Sequence, residues 1–137
     1  MYKFSDSISF GGFNEVNNMS EQEREKWHII NLSKRSSHYA DIFIPLNDGV
    51  YDGGNTQEEF ANAVNSVRKS IKEEKNVFVH CAHGQSRSVS VLATALAAEN
   101  DKSFESILKK LMDIRSISSE PERSLQSKAK LYLRHTT

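Results

Sequence analysis

Apolar residues recur along this chain with two different periods, and the alternation between them gives the order of elements. Ile8-Ser9-Phe10 alternates like a half-buried strand and stops at Gly11-Gly12, a turn signal. Phe13 to Trp27 is polar and charged, and Ser20 followed by Glu23 predicts a capping box on a short exposed helix. His28 to Leu32 and Ile42 to Leu46 are apolar enough to be strands, joined by a polar connection from Ser33 to Ala40. Asn47 to Asn55 is glycine-rich, polar and without either period. Thr56-Gln57-Glu58-Glu59 then reads as a second capping box, opening a helix whose stripe is Phe60, Ala63, Val64, Val67 and Ile71. The charged run Lys72 to Lys75 ends it.

Val77 to Val79 is a short unbroken apolar run, the mark of a strand covered on both faces, and Val89 to Ala98 has the length and composition of a buried helix. Phe104, Ile107, Leu108, Leu111 and Met112 form another stripe after a Ser103 cap. Ser119-Glu120-Pro121-Glu122 opens a last helix with Leu125, Ala129 and Tyr132 inward, so the C-terminal third reads as structural. The alternation predicts an α/β fold in one domain, residues 1–137. Its expected core is a mostly parallel sheet of four to five strands flanked by helices. Ligands in such sheets bind beyond the carboxyl ends of strands.

Size and charge narrow the possibilities. At 137 residues the chain is near the commonest domain size. A net charge of zero gives no general attraction to nucleic acid or an anionic membrane, so any anion recognition must be local to a pocket. The single cysteine, Cys81, excludes an internal disulfide and suits a reducing compartment. The N-terminal residues carry no apolar signal core, and no apolar run approaches the roughly 20 residues of a spanning helix. The expectation is a cytoplasmic protein with no membrane partner; nothing in the pattern sets an oligomeric state.

The lone cysteine lies between the strand at Val77 and the helix at Val89. A loop passing from a strand into a helix directs several N–H groups and the positive end of the helix dipole at one point, where an anion fits. The same field stabilises a thiolate. Arg87, at the start of the helix, offers a planar fork that matches two phosphate oxygens, and Gly84 supplies the backbone freedom a tight anion loop needs. No Gly-Lys-Ser/Thr follows the glycine, which argues against a nucleotide P-loop. Lys34-Arg35 could form a substrate rim, although solvated loop charges explain them more simply.

His80-Cys81-x5-Arg87-Ser88 resembles the signature of the cysteine-dependent protein tyrosine phosphatase superfamily, and Gly84-Gln85-Ser86-Arg87-Ser88 is most similar to the small, atypical dual-specificity phosphatases. The resemblance implies a phosphatase of phosphotyrosine and phosphoserine/threonine proteins. Cys81 would be its nucleophile and Arg87 its phosphate ligand, with Ala82, His83, Gly84, Gln85, Ser86 and Arg87 forming the phosphate-binding loop. It also implies a general acid at Asp48, with Asp52 as the alternative. His80 would orient the loop, and Ser88 would hydrogen-bond the sulfur. No metal or other cofactor is implied. His83 departs from the family pattern, in which a small residue is usual. RNA 5′-triphosphatases of the superfamily resemble the chain at His80-Cys81-x-His83-Gly84, which keeps an RNA substrate as an alternative. A phosphoprotein-binding module without turnover is a third. Ala82 and Gln85 argue against phosphoinositide phosphatases, which usually carry lysines in this loop.

Overall fold

The computed structural model describes residues 1–48 and 54–136, and Asp52 lies outside them. The predicted run Val77–His80 (β5) is the centre of a five-stranded sheet, with all four of its residues buried. Its parallel neighbours are Ile8–Gly11 (β2) and His28–Asn31 (β3). Ile42–Phe43 (β4) pairs in parallel outside β3, and Tyr2–Lys3 (β1) closes the other edge antiparallel to β2. The order is β1-β2-β5-β3-β4, the mostly parallel sheet expected from the alternation of elements. Because side chains alternate along a strand, Val77 and Val79 enter one core cluster while Phe78 enters another.

The larger cluster lies beneath four helices: Gln57–Lys72 (α3), Arg87–Asn100 (α4), Phe104–Arg115 (α5) and Arg123–Arg134 (α6). Helix α4 packs against the other three, so 11 of its 14 residues are buried. Its core leucines Leu92 and Leu96 are each worth roughly 1.5–3 kcal/mol of apolar transfer. This burial anchors α4 and therefore fixes the loop that enters it. Predicted stripes face inward: Phe60, Ala63, Val64 and Val67 on α3, and Leu125, Ala129 and Tyr132 on α6. Thr56 and Ser103 cap α3 and α5 by accepting from Glu59 N–H and Ser106 N–H.

Two expectations change, and one strand is added. The segment between Gly12 and Trp27 forms two short helices, Phe13–Asn18 (α1) and Glu21–Lys26 (α2). The Ser20–Glu23 capping box opens the second, as predicted, but Val16, Met19 and Trp27 are buried under the smaller face of the sheet. The strand expected from Ile42 to Leu46 ends at Phe43, because Pro45 has no N–H to give the ladder. Ile44 and Leu46 still donate to the Asn31 and Leu32 carbonyls at 2.9 and 3.0 Å, so the chain stays beside β3 up to Leu46. Strand β1 carries no alternating run long enough to announce it. No helix among the described residues is long and apolar enough to cross a membrane.

Candidate active site

Cys81 follows the last residue of β5, and Arg87 is the first residue of α4, so the bend 82–86 joins the most buried strand to the most buried helix. Cys81 is buried, and its Sγ lies 3.3 Å from Ser88 Oγ in the first turn of α4. Gly84 adopts φ +71°, a left-handed conformation, and packs on Gly11 of β2 so closely that a Cβ would lie 2.4 Å from the Gly11 carbonyl carbon. Gly12 fits beneath Ala82 in the same way, at 2.6 Å from its carbonyl oxygen. Phe13 N–H donates to that oxygen at 3.1 Å, and Cys81 N–H donates to the Gly11 carbonyl at 3.3 Å. The Gly11-Gly12 pair, read in sequence only as a turn, is thus the seat of the loop.

Arg87 is buried, and its Nη1 donates to the Leu46 carbonyl at 3.0 Å. This bond fixes the plane of the guanidinium. Its Nε is buried and has no hydrogen-bond partner among the described residues. A buried, charged donor without a partner is costly. An oxyanion over the loop would supply one, and Nε is the kind of donor that grips a phosphate side-on. Asp48 Oδ1 stands 3.5 Å from the same Nε, with its side chain 51% exposed at the mouth of the site. The structure therefore brings Asp48 to Cys81, Arg87 and Ser88 from a separate part of the chain.

His80 is wholly buried at the end of β5, edge-on to Phe13 with ring centroids 5.1 Å apart and tilted against Phe78. Burial lowers its pKa, against smaller opposing effects from the Cys81 carbonyl and Glu15. The neutral ring can then donate from Nδ1 to the Cys81 carbonyl, 3.3 Å away, bracing the turn just after the strand. Ala82 and Ser86 are half-buried along the bend, while the His83 and Gln85 side chains are exposed.

Other supports carry no local motif. Arg115, at the end of α5, donates from Nη2 to the His83 carbonyl at 2.9 Å and lies 3.8 Å from Glu15, which accepts from Gly12 N–H. The C-terminal third thus reaches the loop, beyond the structural role its stripes suggested. Asn47 N–H donates to Asn55 Oδ1 at 2.7 Å, and Asn55 Nδ2 returns a bond to the Asn47 carbonyl at 2.8 Å. This reciprocal pair holds the backbone one residue before Asp48. In sequence these were only polar residues in an irregular segment. Among the described residues, no three His, Cys, Asp or Glu side chains cluster to hold a metal ion.

A strand, a short anion-shaped loop and a buried helix now stand together, and comparisons with known proteins agree on where they belong. Residues 4–132 match the model of the dual specificity phosphatase catalytic domain. No curated protein matches the sequence. Among solved structures, human DUSP28 superposes with a TM-score of 0.81 at 14% identity over 98% of this chain and 96% of that one. DUSP15 gives 0.76 at 18% identity, over 96% and 86%. The human tyrosine phosphatase-like serine/threonine/tyrosine-interacting protein gives 0.77 at 12% identity, over 98% and 95%. At such identities the superpositions speak for the fold, and the family model speaks for descent. The chain therefore belongs to the dual specificity phosphatase catalytic-domain family.

Proposed function

We propose that this chain, as one catalytic domain over residues 1–137, hydrolyses phosphate monoesters on proteins, on tyrosine as well as serine and threonine. It would act through a cysteinyl-phosphate intermediate in the cytoplasm. The observation that carries this reading is Cys81 Sγ at the root of the loop, 3.3 Å from Ser88 Oγ, beside a buried Arg87 whose Nε has no hydrogen-bond partner among the described residues. Family membership supplies the reaction class; the cytoplasmic setting rests on the lone cysteine, a thiol vulnerable to oxidation.

In the first step Cys81 thiolate attacks phosphorus in line, forming the P–S bond as the P–O bond to the protein hydroxyl breaks. The equatorial oxygens are held by the loop N–H groups between Ala82 and Arg87 and by the Arg87 guanidinium. Asp48, at the mouth, gives its proton to the departing oxygen. In the second step water attacks phosphorus, Asp48 carboxylate takes the proton, and the P–S bond breaks to release inorganic phosphate. Ser88 Oγ, 3.3 Å from the sulfur, donates to it as negative charge returns there. Every electron pair is accounted for by the thiolate, the ester and water, so the sequence of steps calls for no cofactor.

The deciding experiment compares wild type with Cys81→Ser. Wild type should release phosphate from a small aryl phosphate and from phosphopeptides, while Cys81→Ser should bind phosphopeptide without turnover. Binding of phosphopeptide by wild type with no release from any ester would replace the enzyme by a phosphoprotein-binding module. Release confined to 5′-triphosphorylated RNA would favour the RNA alternative associated with His83.

A further inference from the structure

We propose that Arg35, with Lys34 beside it, is a specificity determinant that selects phosphorylated segments carrying carboxylate side chains next to the phosphorylated residue. The inference rests on the site accepting phosphoproteins, and deepens that reading by naming the surroundings of the phosphate it prefers.

Both cations are exposed, as solvated loop charges would be, but the backbone beneath them is held from inside the protein. Asn31 and Ser33 are buried. Ser33 N–H donates to Asn31 Oδ1 at 2.9 Å, Asn31 Nδ2 donates to the Arg35 carbonyl at 2.8 Å, and Arg35 N–H donates to Ser33 Oγ at 3.1 Å. A buried polar turn satisfied in this way has one low-energy arrangement. Asn31 is paired in register with His80, so the turn springs from the sheet beside the phosphate loop.

The side chains then diverge to two sides of the site. Arg35 lies over the Phe13 ring, 4.7 Å from its centroid, and Phe13 is the residue whose N–H holds the Ala82 carbonyl. A guanidinium held over a ring face still has N–H donors to offer a carboxylate. Lys34 Nζ donates to Asn47 Oδ1 at 2.7 Å, one residue before Asp48. Neither cation forms an ion pair among the described residues, whereas Arg68 and Arg115, which are less exposed, each face a glutamate. Among the described residues, Glu59 is close enough to Lys34 to sense its charge, and Asp48 faces Arg87. Arg35 is the cation with the freer charge, so the larger share of the selection falls to it.

The selection is electrostatic and lies on a rim, so its size is bounded. Rim pairs contribute modestly, and attraction to an acidic flank combined with repulsion of a basic one gives about a tenfold difference. The test uses three phosphopeptides with the same phosphotyrosine, flanked by Asp/Glu, by Ala or by Lys, and a small aryl phosphate with no flank. In wild type at low salt, kcat/KM should favour the acidic peptide over the lysine peptide about tenfold. The ratio should shrink toward one as salt shortens the reach of the charges. Arg35→Glu should bring the ratio to about one or reverse it, with aryl phosphate turnover unchanged, and Arg35→Lys should retain most of it. If the aryl phosphate is not hydrolysed at all, the proposed enzyme fails, and the same peptide ratio is read as Kd. No preference in wild type, a ratio insensitive to salt, or a ratio that survives Arg35→Glu would each overturn the assignment.

Discussion

The two halves of the proposed reaction chemistry are held in different ways. The loop that carries the proposed nucleophile is a short bridge between β5 and α4, the most buried strand and helix, and glycine contacts with β2 fix its bend. Asp48 is held at a distance from its own strand. It comes after Pro45 has ended the ladder, is clasped through Asn47 and Asn55, and meets Arg87 only at its exposed tip. A group that must receive phosphate in one orientation gains from a rigid cradle, since misplacement by about 1 Å can cost about 10²-fold in rate. A proton donor that serves different leaving groups needs reach as much as rigidity.

The loop is the more sensitive of the two to a single substitution. Gly84→Ala puts a methyl group against the β2 backbone, at a residue with φ +71°. Turnover of a small aryl phosphate is expected to fall by about 10²-fold or more, with a loss of roughly 1–3 kcal/mol in stability measured by urea unfolding. Normal turnover in this variant would show that the loop tolerates a shift the geometry does not allow. On the acid side, Asp48→Asn should reduce kcat by about 10²–10⁴, more for poor leaving groups than for good ones. A comparable loss from Asp52→Asn alone would transfer the role.

Removing the clasp is gentler. Asn55→Ala deletes two hydrogen bonds and should lower kcat by roughly threefold to tenfold for poor leaving groups. Aryl phosphates with good leaving groups should be little affected. In an Asp48→Asn background the Asn55 effect should disappear, which a merely structural role would not predict. The smallest effect is on stability against pH. His80 has its folded pKa lowered below 6.5 by burial, so the unfolded chain takes up the proton more readily. Its contribution is complete above about pH 6.5 and is lost as pH falls toward the folded value. His28 shifts in the same direction, also through burial. Urea midpoints should therefore drop between about pH 7.5 and about pH 5.5, and His80→Asn should flatten part of that slope.

The legibility of these parts follows the same division. The strand at Val77, the helix from Arg87 and the loop between them were readable because covalent neighbours make them: a run of apolar residues, a cysteine, a glycine and an arginine within one short stretch. The capping boxes at Ser20 and Thr56 were readable for the same reason, since each closes over three residues. Gly11-Gly12 was legible as a turn but not as a seat, because what it receives, Gly84 and Ala82, lies far along the chain. Arg115 was illegible for a stronger reason. Its neighbours form an ordinary amphipathic stripe, and only the packing of α5 brings it to the His83 carbonyl.

The amino-acid order by itself determined the alternation of strand and helix, the anion-shaped loop and the sulfur within it, because propensity, apolar period and backbone freedom act over a few residues. Tertiary structure alone decided that the Leu46 carbonyl would fix the plane of Arg87, that Asp48 would stand at the opening, and that Arg35 would lie on Phe13. These are meetings between distant segments. Their free energies come from burial and hydrogen bonding that exist only once the sheet has set the register of its strands.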